Sequence, residues 1–222
     1  MKRSTKRILG WSIPLLVVVI IAAYFGWRWL KTRPSQYEQE IPVYPITPTS
    51  TAGESASDVP EGCSPNPSEI VGTHIQFDGH TDELTLLSLG LDAEGLPGTP
   101  PGDEGYTLAW WNGGPSVGSG QGKVVLTSHT FRYGGALGND LNEGLLSEND
   151  VIRISDDAGK TVCYRFTNAL KIFVDDYDPN SNVLYDDYGD PMIVIVVCSD
   201  YPANGGDPAA RVLYYAELVR AA

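Results

Sequence analysis

Three residues of this 222-residue chain stand where apolar runs begin or end, and each is of a type that does chemistry. Cys198 closes the run Met192-Ile193-Val194-Ile195-Val196-Val197, and His129 closes Lys123-Val124-Val125-Leu126-Thr127-Ser128. Arg211 opens Arg211-Val212-Leu213-Tyr214-Tyr215-Ala216. Short runs of this kind read as buried strands, and a strand that ends on a reactive side chain delivers it to the rim of a sheet. A thiol with a pKa of about 8.5 is only slightly ionised at neutral pH, so a nucleophilic cysteine needs a base or a positive charge beside it. An imidazole titrates near neutrality and can take the thiol proton and return it. A guanidinium stays charged and offers a fork of donors suited to an oxyanion. Taken singly, each has an ordinary explanation: a buried filler, a satisfied structural histidine, a solvated charge. Together, at strand ends in the order His, Cys, Arg, they are the parts of a cysteine-based acyl transfer.

The elements that must position them are mostly strands. Ile70 to Phe77, Leu84 to Leu89, Lys123 to Ser128, Val151 to Ser155, Thr161 to Asn168, Leu170 to Val174, Met192 to Val197 and Arg211 to Val219 are short and rich in β-branched and aromatic residues. Val162, Tyr164 and Phe166 alternate with Cys163, Arg165 and Thr167, the period of a half-buried strand. Asp156-Asp157-Ala158-Gly159-Lys160 has the composition of a hairpin loop. Helical signal is confined to a turn or two over Leu141 to Leu146. The fold class expected is mainly β, with about eight strands closing, or nearly closing, into a barrel.

Ahead of this domain the composition changes twice. Residues Ile8 to Trp27 form an apolar stretch of 20 residues without a formal charge, long enough to cross a hydrocarbon core of about 30 Å. It passes into Arg28-Trp29-Leu30-Lys31 with no small-residue cleavage site, so it reads as an uncleaved anchor rather than a signal peptide. Lys2, Arg3, Lys6 and Arg7 before the span slightly outweigh Arg28, Lys31 and Arg33 after it, which favours a cytoplasmic N-terminus. Residues 34 to 67 are rich in Pro, Ser, Thr and Glu, and read as a stalk that cannot bury enough surface to offset its ordering entropy. The expected organisation is a tail over 1–7, an anchor over 8–30, an extracellular stalk over 31–68 and a folded domain over 69–222. Seven of the 15 basic residues and none of the 28 acidic ones precede Pro34, which leaves 8 against 28 beyond it, a net of −20. A domain so acidic repels phosphate, which excludes a nucleic-acid partner and suits a neutral or cationic one.

The three cysteines are Cys63, Cys163 and Cys198. If Cys198 stays free to react in an oxidising compartment, Cys63–Cys163 is the remaining pair; three reduced thiols is the alternative. Asp176-Tyr177-Asp178-Pro179-Asn180-Ser181-Asn182 opens like a calcium loop but has Ser181 at the glycine position and Asp187 where a bidentate glutamate belongs. A solvated acidic loop is favoured over a calcium site. No zinc, phosphate-loop or dinucleotide fingerprint occurs, and His74 and His80 lack ligand-spaced companions, so no cofactor is expected.

The order His129, Cys198, Arg211 in a small β-rich domain behind an N-terminal anchor resembles the sortases of Gram-positive bacteria. The resemblance covers about residues 69 to 219. It is carried by Val124 to His129, Asp150 to Ile154, Tyr164-Arg165-Phe166, Ile193 to Cys198 and Arg211 to Ala216. Leu108-Ala109-Trp110-Trp111-Asn112-Gly113-Gly114-Pro115, with Gly118 to Gly122 after it, is similar to the class E and class F group. It implies an eight-stranded sortase barrel with Cys198 as nucleophile, His129 as general acid/base and Arg211 as oxyanion and substrate ligand. It also implies cleavage of a Leu-Pro-x-Thr-Gly-like sorting signal on surface proteins, with transfer to an amine of the cell wall or a pilin lysine. Tyr177 and Tyr185, with Val197 and Ser128 beside the catalytic pair, are then expected along the substrate groove. The chain departs from the family where its cysteine strand usually ends Thr-Leu-x-Thr-Cys: Val194 and Val197 replace both threonines. Two other readings share these parts. One is an L,D-transpeptidase, whose usual His-Gly before the thiol is here Val196-Val197; the other is an anchored, non-catalytic binding domain on the same barrel.

Overall fold

The computed structural model describes residues 59–221. The expected tail and anchor, and the stalk as far as residue 58, lie outside the described residues. Eight strands are present: β1 (His74–Phe77), β2 (Leu84–Leu89), β3 (Leu108–Trp111), β4 (Lys123–Ser128), β5 (Val151–Ser155), β6 (Thr161–Phe173), β7 (Met192–Ser199) and β8 (Ala210–Leu218). One short helix, α1 (Leu137–Asn142), lies between β4 and β5, and a 3-10 turn (Val174–Asp176) follows β6. The strands close into a barrel in the order β1-β2-β3-β4-β7-β8-β6-β5, with β5 pairing back onto β1. The pairs β2–β3 and β4–β7 are parallel, and the others are antiparallel. Parallel neighbours need long crossovers. Those crossovers supply the loop from residue 90 to 107 and the segment from residue 174 to 191, which reach the outer face near the site.

The barrel interior is filled by Ile75, Phe77, Leu108, Leu126, Ile152, Ile154, Ile193 and Ile195 among others, all fully or almost fully buried. A second apolar cluster lies on the outer face of β4, β7 and β8, where Val125, Val194, Leu213 and Tyr215 pack against Val183, Leu184 and Tyr185 of the segment before β7. Both faces of β7 are therefore covered, which explains its unbroken apolar sequence. The segment is held close: Lys123 N donates to Asp186 O (2.8 Å) and Gly122 N to Gly189 O (2.8 Å). At Gly122, with φ +78°, a Cβ would come within 2.7 Å of Asp187 O, so a larger residue there would push the segment away.

Three elements differ from expectation. The strands expected over Thr161–Asn168 and Leu170–Val174 are one strand, β6, which ends at Phe173 and is broken in pattern by a bulge between Phe166 and Asn168. The bulge reverses the parity. Val162, Tyr164 and Phe166 face the core before it and Ala169 after it, while Leu170 and Ile172 join the outer cluster. The eighth strand is instead β3, only four residues long, and the helix begins at Leu137 rather than Leu141.

The end of the expected stalk is part of the domain. Cys63 and Cys163 form a disulfide with a Cα–Cα distance of 5.7 Å. Val59 and Cys63 pack against Val151, Cys163 and Val219, and Ala221 N donates to Pro65 O (2.7 Å). Residues 59–68 thus run along the barrel instead of extending from it.

Candidate active site

Strand parity decides which side chains share a face. On β7, Ile193, Ile195 and Val197 belong to the interior, so Val194, Val196 and Cys198 face outward. On β8, Val212, Tyr214 and Ala216 face inward, and Leu213 and Tyr215 outward, in phase with Arg211. On β4, Val124 and Leu126 face inward and Val125 outward, in phase with Thr127 and His129. Cys198 is paired directly with Arg211. His129 lies one residue beyond β4, and the parallel pair Thr127–Val196 puts it, two residues on, level with Cys198. The cysteine and the arginine are thus direct partners on the outer face, and the register of β4 against β7 brings the histidine to the same end of the barrel.

Each group has defined surroundings. Cys198 is a free, half-buried thiol, and its backbone carbonyl accepts a hydrogen bond from Asn142 Nδ2 of α1 (3.0 Å). Tyr214 Oη in turn donates to Asn142 Oδ1 (3.0 Å), which fixes the amide. Burial pushes the Cys198 thiol up from its ordinary range; the Arg211 guanidinium opposes this, and the Asp207 carboxylate adds to it. With burial prevailing, the resting thiol keeps its proton, and attack requires a base to remove it. His129 Nε2 is 2.8 Å from Pro100 O. A carbonyl only accepts, so Nε2 carries the hydrogen and the neutral ring keeps its lone pair on Nδ1. The ring also stacks on Phe131, with centroids 5.9 Å apart. Arg211 Nη1 donates to Pro208 O (3.1 Å) and Ala210 O (3.0 Å), which orients the guanidinium. Among the described residues Nη2 and Nε make no hydrogen bond, and that edge of the fork is available to a substrate oxygen.

The loop from residue 90 to 107 approaches from one side, with Thr127 Oγ1 donating to Gly98 O (2.9 Å) beside the Pro100 contact. Tyr185 belongs to the outer cluster that contains Val194 and Val196, meeting Trp111 edge-on with centroids 5.7 Å apart. Tyr177 is half-buried nearby, and burial pushes both phenols up. These two tyrosines therefore border the outer face that carries Cys198. Val197 and Ser128 do not. Val197 is 1% exposed and packed in the barrel core, and Ser128, 6% exposed, has the inward parity of Leu126. Their expected place along the groove is corrected: each neighbours a catalytic candidate in sequence, and successive residues of a strand point to opposite faces. Reasoning from sequence passes over Asn142 and Pro100, and names Trp111 only within the stretch that carries the family resemblance. Neither Asn142 nor Pro100 carries a local signal, because each reaches the site from a distant segment.

A family profile described as a sortase domain matches residues 88–219. No curated protein matches significantly. Among solved structures, the chain is similar to sortase A from Corynebacterium diphtheriae at 21% identity and a TM-score of 0.49, covering 70% of this chain and 63% of that one. It is similar to Listeria monocytogenes sortase A at 18% identity and a TM-score of 0.46, covering 68% and 88%. It is likewise similar to Streptococcus agalactiae sortase C1, solved in complex with MTSET, at 18% and 0.49, covering 69% and 71%. The match thus spans less than two thirds of the Corynebacterium protein. The profile takes in β3 to β8, and with them His129, Cys198 and Arg211. On that match this chain belongs to the sortase family.

Proposed function

We propose that the chain is a membrane-anchored sortase, of the class E and class F group, that cleaves a Leu-Pro-x-Thr-Gly-like sorting signal on surface proteins. The acyl group passes through Cys198 to an amine of the cell wall or of a pilin lysine. This reading is supported by the pairing of Cys198 with Arg211 and by the β4–β7 register, which leads His129 to the same end of adjacent strands. His129 takes the proton from the thiol, and Sγ attacks the carbonyl carbon of the Thr–Gly bond. The carbon–sulfur bond forms while the carbonyl electron pair moves to oxygen, where Arg211 stabilises it. Collapse breaks the carbon–nitrogen bond, and His129 returns the proton to the departing amine. A second amine then attacks the thioester and gives its proton to His129, and the thiolate leaves. Anchoring is supported by the apolar stretch from Ile8 to Trp27, and an extracellular domain with an N-terminus inside by the flanking charges. The excess of acid over base beyond Pro34 suits a cationic acceptor before it loses its proton.

The test is transfer itself. The full chain is incubated with a panel of Leu-Pro-x-Thr-Gly peptides and a primary amine, and products are identified by mass. A new amide between threonine and the amine, absent with Cys198→Ala, supports the reading; transfer retained by Cys198→Ala refutes it.

A further inference from the structure

Two loops leave the catalytic end of the barrel side by side. One, residues 129–136, follows β4 and begins with His129; the other, residues 200–209, follows β7 just past Cys198. They are laced together. Tyr201 Oη donates to Thr130 O, the carbonyl next to His129. The Arg132 guanidinium lies 5.1 Å from the centre of the Tyr201 ring, and its two terminal nitrogens donate to Pro202 O (2.6 Å) and Gly206 O (3.0 Å). The first loop is pinned in turn to the helix: Asn139 takes both the N–H (3.0 Å) and the C=O (2.8 Å) of Phe131, and Gly138 N donates to His129 O (2.9 Å). The second loop is held at its ends, by the Lys171–Asp200 ion pair (2.6 Å), by Val174 N donating to Ala209 O (2.9 Å) and by Arg211 Nη1 donating to Pro208 O, but has little to hold its middle. Its internal backbone bonds are Gly205 N to Pro202 O (3.1 Å) and Ala209 N to Asp200 O (3.0 Å), and Gly205 and Gly206 both sit at positive φ.

We infer that Tyr201 and Arg132 form a clamp that fixes the histidine-bearing loop against the loop that leaves the cysteine strand, and so act as positioning residues for proton transfer between Cys198 and His129. Neither hydrogen-bonds Cys198 or His129; both act through the backbone that carries them. Tyr201 lies within electrostatic reach of Cys198, Arg211 and Arg132, so the clamp borders the reacting groups and is not a remote brace. The need for it follows from the topology. β4 and β7 are hydrogen-bonded neighbours only as far as Thr127–Val196, and both reactive side chains lie two residues beyond that pair. Cys198 is still held by its pairing with Arg211 on β8, whereas His129 lies past the end of β4; without a tie between the loops the imidazole would drift relative to the sulfur, and an error of about 1 Å at a reacting pair costs on the order of 10²-fold in rate.

This inference rests on the transpeptidase reading, and the experiment separates the two. Steady-state turnover of the peptide fastest with the native full chain is compared for native, Cys198→Ala, Tyr201→Phe, Arg132→Lys and the double variant Tyr201→Phe/Arg132→Lys. Folded fraction is followed by thermal unfolding of the same samples. Tyr201→Phe keeps the ring and loses only the hydroxyl bond; Arg132→Lys keeps the charge and loses the two-pronged grip. The expected result is a fall in kcat of about ten-fold in each single variant, with KM within about two-fold, and a double variant no more than about three-fold below the worse single. A kcat within two-fold of native in both single variants, losses that multiply in the double, or losses that track the folded fraction would each overturn the clamp. Turnover retained by Cys198→Ala overturns the transpeptidase reading, whatever the clamp variants do.

Discussion

Cys198 and Arg211 are direct partners across β7 and β8, both on the outer face of the barrel. The pairing places the guanidinium strand beside the thiol strand at the catalytic-candidate end of the barrel. The arginine's charge opposes the burial that keeps the thiol protonated. Because the two residues leave the sheet side by side, an Arg211 fork that binds a substrate oxygen would do so beside Sγ.

Arg211→Lys separates charge from shape. Lysine keeps the positive charge but loses the planar fork that Pro208 O and Ala210 O orient. Turnover is expected to fall by about 10²-fold or more, the scale of losing an oxyanion donor. Steady-state kinetics checks it; a rate close to native would make Arg211 structural.

The charges around Cys198 predict opposite shifts for two variants. Asp207 pushes the thiol up and Arg211 pulls it down, both against a background of burial. Asp207→Asn should therefore move the half-point of thiol trapping by a methanethiosulfonate reagent to lower pH, and Arg211→Gln to higher pH. Trapping rates measured across pH for the two variants should diverge from native in those directions; shifts of the same sign would contradict the assignment.

The disulfide ties residue 63 to β6 across a sequence separation of 100 residues. Removing it with Cys63→Ser and Cys163→Ser frees a long loop in the unfolded chain, and the expected cost is about 2–4 kcal/mol. Denaturant unfolding measures this, and thiol counting under native, non-reducing conditions should find one reactive cysteine in the parent chain. Unchanged stability would mean that packing of Val59 and Pro65 suffices to hold the segment.

Asp78 links β1 to β5. Burial would raise its carboxyl pKa, but the hydrogen bonds from Val151 N (2.9 Å) and Arg153 Nη1 (2.7 Å), with the Arg153 charge, hold it below the usual range. A depressed folded pKa contributes stability above the unfolded value, at about pH 4, that is lost as pH falls through the folded one. The Asp78 side chain is 41% exposed, so water screens the pair, and Asp78→Asn should cost about 0.5–1 kcal/mol at pH 7, a difference from native that shrinks at acid pH. Denaturation midpoints at pH 7 and pH 3 check it; a constant difference would show that the charge plays no part.

What the sequence disclosed follows from where the physics is local. Cys198, His129 and Arg211 were legible because each borders an apolar run that can only be a buried strand. The side on which neighbouring residues fall was not. With Val194 and Val196 covered by Val183, Leu184 and Tyr185, β7 is apolar on both faces and shows no alternation to tell inside from outside. Val197 on β7 and Ser128 on β4, where burial shows no alternation either, therefore cannot be assigned to groove or core from sequence, and both lie within the barrel. The bulge at Thr167 hid the continuity of β6 in the same way, by reversing the alternation midway. The bond between Asn142 and the Cys198 carbonyl joins positions 56 residues apart, and only the closed barrel brings them together.

The most direct test of the account is to catch the acyl group on sulfur. The full chain is mixed with a Leu-Pro-x-Thr-Gly peptide without an amine acceptor, quenched in acid and mapped by mass spectrometry. A thioester of the peptide's threonine acyl fragment on Cys198 alone, discharged when an amine is added, is the predicted result. Acyl transfer to that amine with no adduct ever formed at Cys198, or with undiminished yield in Cys198→Ala, would contradict it.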